Sequence, residues 1–161
     1  KAPLFSDPDF PCVVFTIDVY SGSTTDNNEI DNIKSTIKSF IENPDNDIDL
    51  NRIYLCGYSA GGNAAILIAN DDTSDLYDVK ALILEGARNW VSNYCANLGN
   101  THAWIFYGET DTEDDQPGER IINMLPEGSG EHIETIMPGV GHTIGPVIDS
   151  PKVIMWLLGK Q

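Results

Sequence analysis

The chain has 161 residues, of which 41% are hydrophobic and 21% charged, which is the composition of one folded globular domain and not of a disordered chain. The net charge is −16, and the 9 lysines and arginines are too few for the basic patch that nucleic acid or an anionic membrane surface requires. No apolar run approaches the roughly 18 residues of a membrane span.

The first half of the chain is predicted to form two strands that alternate with two helices. β-Branched apolar runs predict the strands, and isoleucines spaced three or four residues apart predict the first helix. Asp26 and Glu29 resemble a capping box at the start of that helix, and Pro44 is expected to end it. The predicted elements are a strand at residues 12–19, a helix at 27–43, a strand at 52–56 and a helix that runs to about Asn70.

The second half continues the alternation, with strands predicted from "VKALILE", "HAWIFY" and "HIETIM". A helix is expected from about Pro117 to Leu125, and Ser150 and Pro151 are expected to begin a last helix. The strands are continuous apolar runs, as expected when helices cover both faces of a sheet. The predicted fold class is therefore α/β, a three-layer α/β/α sandwich with a mostly parallel, doubly wound sheet. Residues 1–161 are expected to form a single domain without a cap domain.

The three cysteines are an odd number and lack the spacing of metal ligands, so no metal site is predicted. Cys12 and Cys56 lie within apolar, strand-like runs, which predicts buried thiols rather than catalytic ones. Cysteine usage leaves the cellular compartment undecided.

The turn after the strand at 52–56 has the pattern Gly-x-Ser-x-Gly, with Ser59 at its centre. In a parallel sheet, ligands bind beyond the carboxyl ends of the strands, and this turn lies there. The bend is expected to strain the backbone of Ser59, to require glycine at Gly57 and Gly61, and to lift the hydroxyl above the sheet. It also directs the Ala60 N–H toward an oxyanion. A packing turn with an incidental serine is the alternative.

A serine nucleophile needs a base, and the chain has three histidines. His102 and His132 open predicted strands and therefore lie at the opposite end of the sheet from Ser59. His142 follows the last predicted strand, in a loop rich in glycine and proline, at the same end as Ser59. His142 is the predicted base, although a histidine in such a loop can also be an ordinary surface residue.

The base needs a carboxylate to orient it, and an acidic run follows the "HAWIFY" strand at the same end of the sheet. Asp111 is close enough to the strand to be held rigidly and is the first candidate. Asp114 is the second candidate, although it precedes the next predicted helix and can simply cap it.

The order of Ser59, Asp111 and His142, each after a successive strand, resembles that of the α/β-hydrolase fold. "DLNRIYLCGYSAGGNAAILIA", "AWIFYGETD" and "GVGHT" are similar to the small bacterial esterase, phospholipase and depolymerase-like branch of that superfamily. The resemblance implies a Ser-His-Asp triad, an oxyanion donor at Ala60, an acyl-enzyme and no cofactor. It implies hydrolysis of carboxylic esters, such as small acyl or acylated-sugar esters.

The sequence departs from this family at the second oxyanion donor. In the family, this N–H belongs to a His-Gly or Gly-Gly loop that follows an earlier strand. No His-Gly pair occurs in the chain. One expectation is that residues 1–161 are the C-terminal two-thirds of the full fold and lack its N-terminal strands. A segment of roughly 60–100 residues would then complete the sheet, absent here or supplied by another chain, as a complementing N-terminal segment or in a homodimer. The alternative is that residues 12–19 replace the earlier strand and that Gly22 supplies the donor.

Three aromatic residues are expected to line the substrate pocket: Tyr20, Tyr58 and Trp90. For Trp90, packing on the core is an equal alternative. Two other functions are compatible with the sequence, an acyl-peptidase of the same fold and a non-catalytic, hydrolase-like fragment that binds a partner chain.

Overall fold

A computed structural model of the chain describes residues 12–17, 27–71, 78–87, 95–111, 121–142, 145 and 147–160. The described residues contain helices and strands that alternate along the chain, with short 3₁₀ turns in several of the connections. The elements are α1 (Asn27–Ile41), β1 (Ile53–Tyr58), α2 (Ala60–Asn70), β2 (Val79–Glu85), β3 (His102–Gly108), β4 (His132–Met137) and α3 (Pro151–Leu158).

The four described strands form one parallel sheet in the order β1-β2-β3-β4. β2 and β3 are almost wholly buried because each has a neighbouring strand on both sides. The predicted α/β class with a parallel sheet is confirmed. Since all four strands run in the same direction, their carboxyl ends meet at one end of the sheet, where the candidate residues follow them.

The layers follow from the alternation of side chains along the central strands. Leu82 and Leu84 of β2 pack in one hydrophobic cluster with Ile66 of α2. Ala81 and Ile83 point to the opposite face, where they pack in a second cluster with α3. The sheet is therefore the middle layer of an α/β/α sandwich, as predicted.

Helix α1 packs on α2 through the isoleucines that predicted it. Ile30, Ile33 and Ile37 are buried against Ala64 and Ile68 of α2. The remaining faces of α1 are largely exposed, which is the pattern of an amphipathic surface helix. The predicted helix at 27–43 is confirmed to within two residues, and a 3₁₀ turn at Pro44–Asn46 follows it. Asp26 lies outside the described residues.

The strand predicted at 12–19 is wrong over residues 12–17, which adopt no regular secondary structure. Val13, Val14 and Phe15 in this run are exposed. A strand needs a hydrogen-bonded neighbour, and within the described residues β1 pairs with β2 alone. Residues 18 and 19 lie outside the described part of the chain.

A groove of about 850 Å³ lies between residues 12–17 and the outer edge of β1. Its described lining is mostly apolar and comes from β1 and from all three helices. Cys56 lines this groove and is exposed, so the prediction that its thiol is buried is wrong. Cys12 is half-buried, and Cys95 is the buried one. Among the described residues, no three potential metal ligands lie close together.

The helix expected up to Leu125 needs correction: in its described part it is a 3₁₀ turn at Ile121–Asn123, whose first N–H donates to the Tyr107 hydroxyl at 3.0 Å. The prediction that Ser150 and Pro151 begin the last helix is confirmed, since Ser150 occupies the N-cap position of α3 and Pro151 its first turn; the Ser150 side chain makes no capping hydrogen bond. None of the helices in the described ranges has the length and hydropathy needed to cross a membrane.

Candidate active site

Ser59 lies at the turn between β1 and α2, with backbone angles φ 50° and ψ −118°. A positive φ is uncommon for a residue with a side chain and stores strain of about 1–3 kcal/mol. The turn is held by the Ser59 N–H, which donates to the carbonyl oxygen of Glu85 at 2.8 Å. The predicted strained bend is confirmed.

Glycine is required around Ser59 at one of the two predicted positions and at one further position. A Cβ at Gly57 would lie 2.3 Å from the carbonyl oxygen of Gly61, so glycine is required there. A Cβ at Gly61 would meet nothing within 4 Å, so the steric prediction for Gly61 is wrong. The tight contact belongs to Gly62, whose added Cβ would lie 2.8 Å from the Cβ of Ala87. The start of α2 therefore turns Gly62 toward the chain that follows β2, while Gly61 faces open space.

The three residues predicted as a triad form one chain of hydrogen bonds. His142 Nε2 lies 2.8 Å from Ser59 Oγ, and His142 Nδ1 lies 2.9 Å from Asp111 Oδ2. An ionised carboxylate only accepts hydrogen bonds, so Nδ1 carries the proton and Nε2 is free to accept the serine hydroxyl. The Asp111 side chain is 8% exposed and that of His142 is 16% exposed.

The loop that carries Asp111 is joined to the loop that carries His142. Glu109 accepts the Gly139 N–H at 2.7 Å, and the Thr110 N–H donates to the Val140 carbonyl at 2.9 Å. These contacts lie directly before the imidazole in the chain, so they fix the separation between Asp111 and His142. Asp114, the second candidate, lies outside the described residues.

Gly86 and Tyr58 lie beside the imidazole of His142. Gly86 has φ +57°, and a Cβ there would lie 3.3 Å from the imidazole ring. The Tyr58 ring centroid is 5.3 Å from that of His142, and the Tyr58 hydroxyl donates to the His142 carbonyl at 3.4 Å. Tyr58, predicted to line the substrate pocket, is exposed next to the triad. Trp90 and Tyr20 lie outside the described residues.

Ala60 is the first residue of α2, an 11-residue helix. The first N–H groups of a helix have no acceptor within the helix, and the helix dipole makes this end partly positive. The Ala60 N–H lies at this partly positive end of the helix, next to Ser59, and its role as an oxyanion donor stays a prediction. Gly22, the alternative source of a second donor, lies outside the described residues.

The other two histidines lie at the opposite end of the sheet, where β3 and β4 begin, as predicted. His102 Nδ1 accepts the Glu131 N–H at 2.9 Å, and His132 Nε2 lies 3.1 Å from the Thr101 carbonyl. Both rings bind backbone groups of the neighbouring connection and take no part in the site around Ser59.

No protein-family model matches the sequence, and no curated protein matches it. Solved structures do match the fold. A dienelactone hydrolase from Anabaena variabilis superposes with a TM-score of 0.59 at 17% identity, over 81% of this chain and 57% of that one. An acyl-protein thioesterase 2 from Zea mays gives 0.60 at 14% identity, over 89% and 69%.

An alpha-beta serine hydrolase homologue from Coxiella burnetii gives a TM-score of 0.55 at 16% identity, over 90% of this chain and 62% of that one. The chain therefore has the α/β-hydrolase fold, and it spans 57% to 69% of the length of these three structures.

Proposed function

We propose that the chain is a serine hydrolase that cleaves carboxylic esters, with Ser59 as nucleophile, His142 as base and Asp111 as the group that orients the base. The observation that carries the proposal is the continuous set of hydrogen bonds from Ser59 through His142 to Asp111. Each of the three residues follows a different strand of the sheet, and the strained turn at Ser59 supports the proposal because a nucleophilic serine at a strand-to-helix turn needs this backbone geometry.

In the proposed reaction, His142 Nε2 takes the hydroxyl proton while Ser59 Oγ forms a bond to the ester carbonyl carbon. The carbonyl oxygen becomes an oxyanion, which the Ala60 N–H stabilises, and one such donor contributes about 3–4 kcal/mol. The tetrahedral intermediate then breaks its bond to the alcohol, which receives the proton from His142. Water, deprotonated by His142, then bonds to the acyl carbon. Ser59 Oγ leaves and takes the proton back from His142, and the carboxylic acid is released, so water is the only co-reactant.

The proposed substrates are small acyl or acylated-sugar esters. We propose that residues 1–161 form a single hydrolase domain without a cap domain, with Tyr58 exposed next to the triad. Two of the matched structures are a dienelactone hydrolase and an acyl-protein thioesterase, and hydrolysis of a lactone or of a thioester is an acyl transfer to water. These names support acyl chemistry here without selecting the alcohol.

The test is ester hydrolysis by the wild-type chain and by Ser59→Ala. We would measure turnover of p-nitrophenyl acetate, butyrate and octanoate, of an acetylated sugar, and of an acyl-peptide as the peptidase alternative. Ser39→Ala is the control, because the Ser39 hydroxyl only donates to the Ser35 carbonyl on the exposed side of α1. We expect activity in the wild type and the control and none in Ser59→Ala. Turnover that survives in Ser59→Ala would refute the assignment of the nucleophile.

A second candidate function, binding of a partner chain, is favoured by the groove beside β1. The Ser59 N–H points toward β2. Along a strand, the backbone N–H and C=O groups of successive residues point alternately to its two sides, so those of Tyr54, Cys56 and Tyr58 point toward the groove. Apolar side chains such as Ile37 and Leu157 line it on either side. An acyl chain in the groove would leave those backbone groups without partners, at a cost of about 1–3 kcal/mol each. An extended peptide segment, apolar on both faces, would pair with them as a strand parallel to β1.

The test for this candidate is binding of a labelled peptide with a six-residue apolar core. The peptide carries lysines N-terminal to this core, because they would face the acidic residues before β1. We expect binding in fluorescence anisotropy, and at least tenfold weaker binding by Cys56→Lys, which places a charge in the groove. Sedimentation velocity tests for a second copy as the occupant. A monomer that does not bind the peptide would remove this candidate.

A further inference from the structure

Glu85 is a buried carboxylate that the proposed reaction does not use. It is the last residue of β2, between β1 and β3, and is 7% exposed. Burying a carboxylate is costly unless hydrogen bonds replace the lost water, so a residue of this kind is informative about what surrounds it. Its position places it at the end of the sheet where Ser59 and His142 meet.

The backbone and the side chain of Glu85 contact two different parts of the site. Its backbone carbonyl accepts the Ser59 N–H at 2.8 Å. Its carboxylate Oε2 accepts the Val147 N–H at 3.3 Å, and the carboxylate also accepts the Ile148 N–H. Val147 and Ile148 belong to a 3₁₀ turn that follows His142 by a few residues and leads into α3. One residue therefore contacts both the serine turn and the segment that continues from the base.

The residue after Glu85 contacts the base itself. Gly86 adopts φ +57° and lies against the His142 ring, where an added Cβ would make a tight contact of 3.3 Å. The Gly86 N–H donates to the Phe106 carbonyl of β3 at 2.9 Å, which fixes it to the sheet. The imidazole therefore contacts Gly86 directly, while the 3₁₀ turn at Val147–Asp149, later in the chain, is held by the carboxylate of Glu85.

We propose that Glu85 is a positioning residue of the active site, whose carboxylate holds the segment after His142 so that the imidazole stays in line between Ser59 and Asp111. The inference rests on the proposed function of these three residues. The carboxyl group of Glu85 provides the acceptor for both N–H groups. The pKa of Glu85 is raised above its ordinary value: burial is the largest cause, the hydrogen bonds from Val147 and Ile148 lower it in part, and the nearby Asp149 carboxylate raises it.

A purely structural role for Glu85 makes a different prediction. If the carboxylate only attached α3 to the sheet, its loss would lower the melting temperature and leave kcat of the folded protein unchanged. If it positions the base, kcat falls while KM stays constant, because Glu85 does not touch the substrate. A displacement of the base by about 1 Å is enough to cost about 100-fold in rate.

The experiment compares Glu85→Ala with Glu85→Gln, which keeps an oxygen acceptor and serves as the rescue. We expect kcat about 100-fold lower at constant KM for Glu85→Ala and a loss below about fivefold for Glu85→Gln. Glu131→Ala is the control for a loosened α3, since Glu131 accepts hydrogen bonds from Trp156 and Lys160 of the C-terminal segment. The control should lose stability and keep its kcat. An unchanged kcat in folded Glu85→Ala would overturn the proposal.

Two further measurements keep the test decisive. If Glu85→Ala does not fold, Val147→Pro removes one of the two donors and leaves Glu85 in place, and we expect kcat to fall about tenfold. An unchanged kcat in that variant would overturn the proposal equally. The downfield proton resonance of the His142 Nδ1–H reports the imidazole geometry without a substrate, and we expect it to broaden or vanish in Glu85→Ala. An inactive wild type with that resonance intact would count against the proposed function and not against the role of Glu85.

Discussion

Histidines lie at both ends of the sheet, but their hydrogen-bond partners differ. At the carboxyl end, His142 has a carboxylate on one ring nitrogen and a hydroxyl on the other. At the amino end, the ring nitrogens of His102 and His132 hydrogen-bond to the backbone of adjoining loops, and the His102 ring packs edge-on against Trp156. A histidine becomes a base through these partners, because the carboxylate fixes the proton on Nδ1 and leaves Nε2 facing an acidic hydrogen. The same side chain bound to backbone groups only joins two loops.

The backbone differs between the two ends as well. Positive φ angles occur at Ser59, Gly86 and Gly139, all beyond the carboxyl ends of strands. Toward the amino end, Gly99 and Gly128 make close backbone contacts, and Asp47, in the connection before β1, is the described residue there with a positive φ. The described positive φ angles therefore lie mostly at the end of the sheet that holds the triad, where functional sites often store strain.

Replacing His142 or His102 by alanine, one at a time, should give the largest difference in activity between two variants. His142→Ala should lower kcat by about 10⁶-fold, since removing the base of a triad costs about as much as removing the nucleophile. His102→Ala should leave kcat/KM unchanged and lower the free energy of unfolding by about 1 kcal/mol, because the Glu131 N–H loses its acceptor. Ester turnover and urea unfolding of both variants check this. An inactive His102→Ala that is fully folded would break the comparison.

The two acidic residues after β3 provide a second contrast within the carboxyl end. Asp111→Asn should lower kcat by about 10⁴-fold, because an amide no longer fixes the proton on His142 Nδ1. Glu109→Gln should stay within a few-fold of wild type, since a glutamine oxygen still accepts the Gly139 N–H. Steady-state kinetics at saturating ester measure both. Equal losses in the two variants would mean that Asp111 has no special relation to the base.

The strain at the serine turn can be tested through stability with a matched pair of glycines. Gly57→Ala should destabilise the fold by about 3 kcal/mol, because the added methyl group meets the Gly61 carbonyl. Gly61→Ala should be neutral or more stable by about 0.5 kcal/mol, since it points into open space and alanine favours a helix. Chemical denaturation of both variants provides the measurement. A destabilised Gly61→Ala with an intact Gly57→Ala would reverse the account of this turn.

The smallest expected effect is a pH dependence that arises at the amino end. Burial, and next the Lys160 ammonium, lower the pKa of His102. The unfolded chain therefore binds this proton more readily, so the contribution of His102 to stability is complete above its unfolded pKa of about 6.5 and is lost as the pH falls through the folded pKa. Thermal unfolding from pH 7.5 to 5 should fall more steeply in wild type than in His102→Gln. Parallel curves would show that His102 does not contribute.

The sequence predicts the parts of the site that follow directly from strand order. Ser59, Asp111 and His142 each come after an apolar run, and parallel strands bring their carboxyl ends together, so the meeting of the three could be predicted. Strand order could not tell whether the β-branched run at 12–17 forms a strand. Whether such a run becomes a strand depends on a hydrogen-bonding neighbour, and propensity alone does not supply one.

Contacts between distant positions were not predictable from the pattern. Glu85 ends an apolar strand, where an acid is ordinary, and its carboxylate partner Val147 lies 62 residues further along the chain. Gly61 was expected to be sterically required because it belongs to the Gly-x-Ser-x-Gly pattern, whereas the close contact falls on Gly62. Which of two adjacent glycines faces a neighbour depends on how the helix is rotated against the sheet.

The most direct test of the account is covalent labelling by a fluorophosphonate, which reacts with a serine only when a working base activates it. The wild-type chain, Ser59→Ala and His102→Ala would be exposed to the probe, measured by intact mass, and digested to locate the adduct. The account predicts one adduct, on the peptide that contains Ser59, in wild type and His102→Ala and none in Ser59→Ala. Folded wild-type protein without an adduct, or with an adduct on another residue, would contradict it.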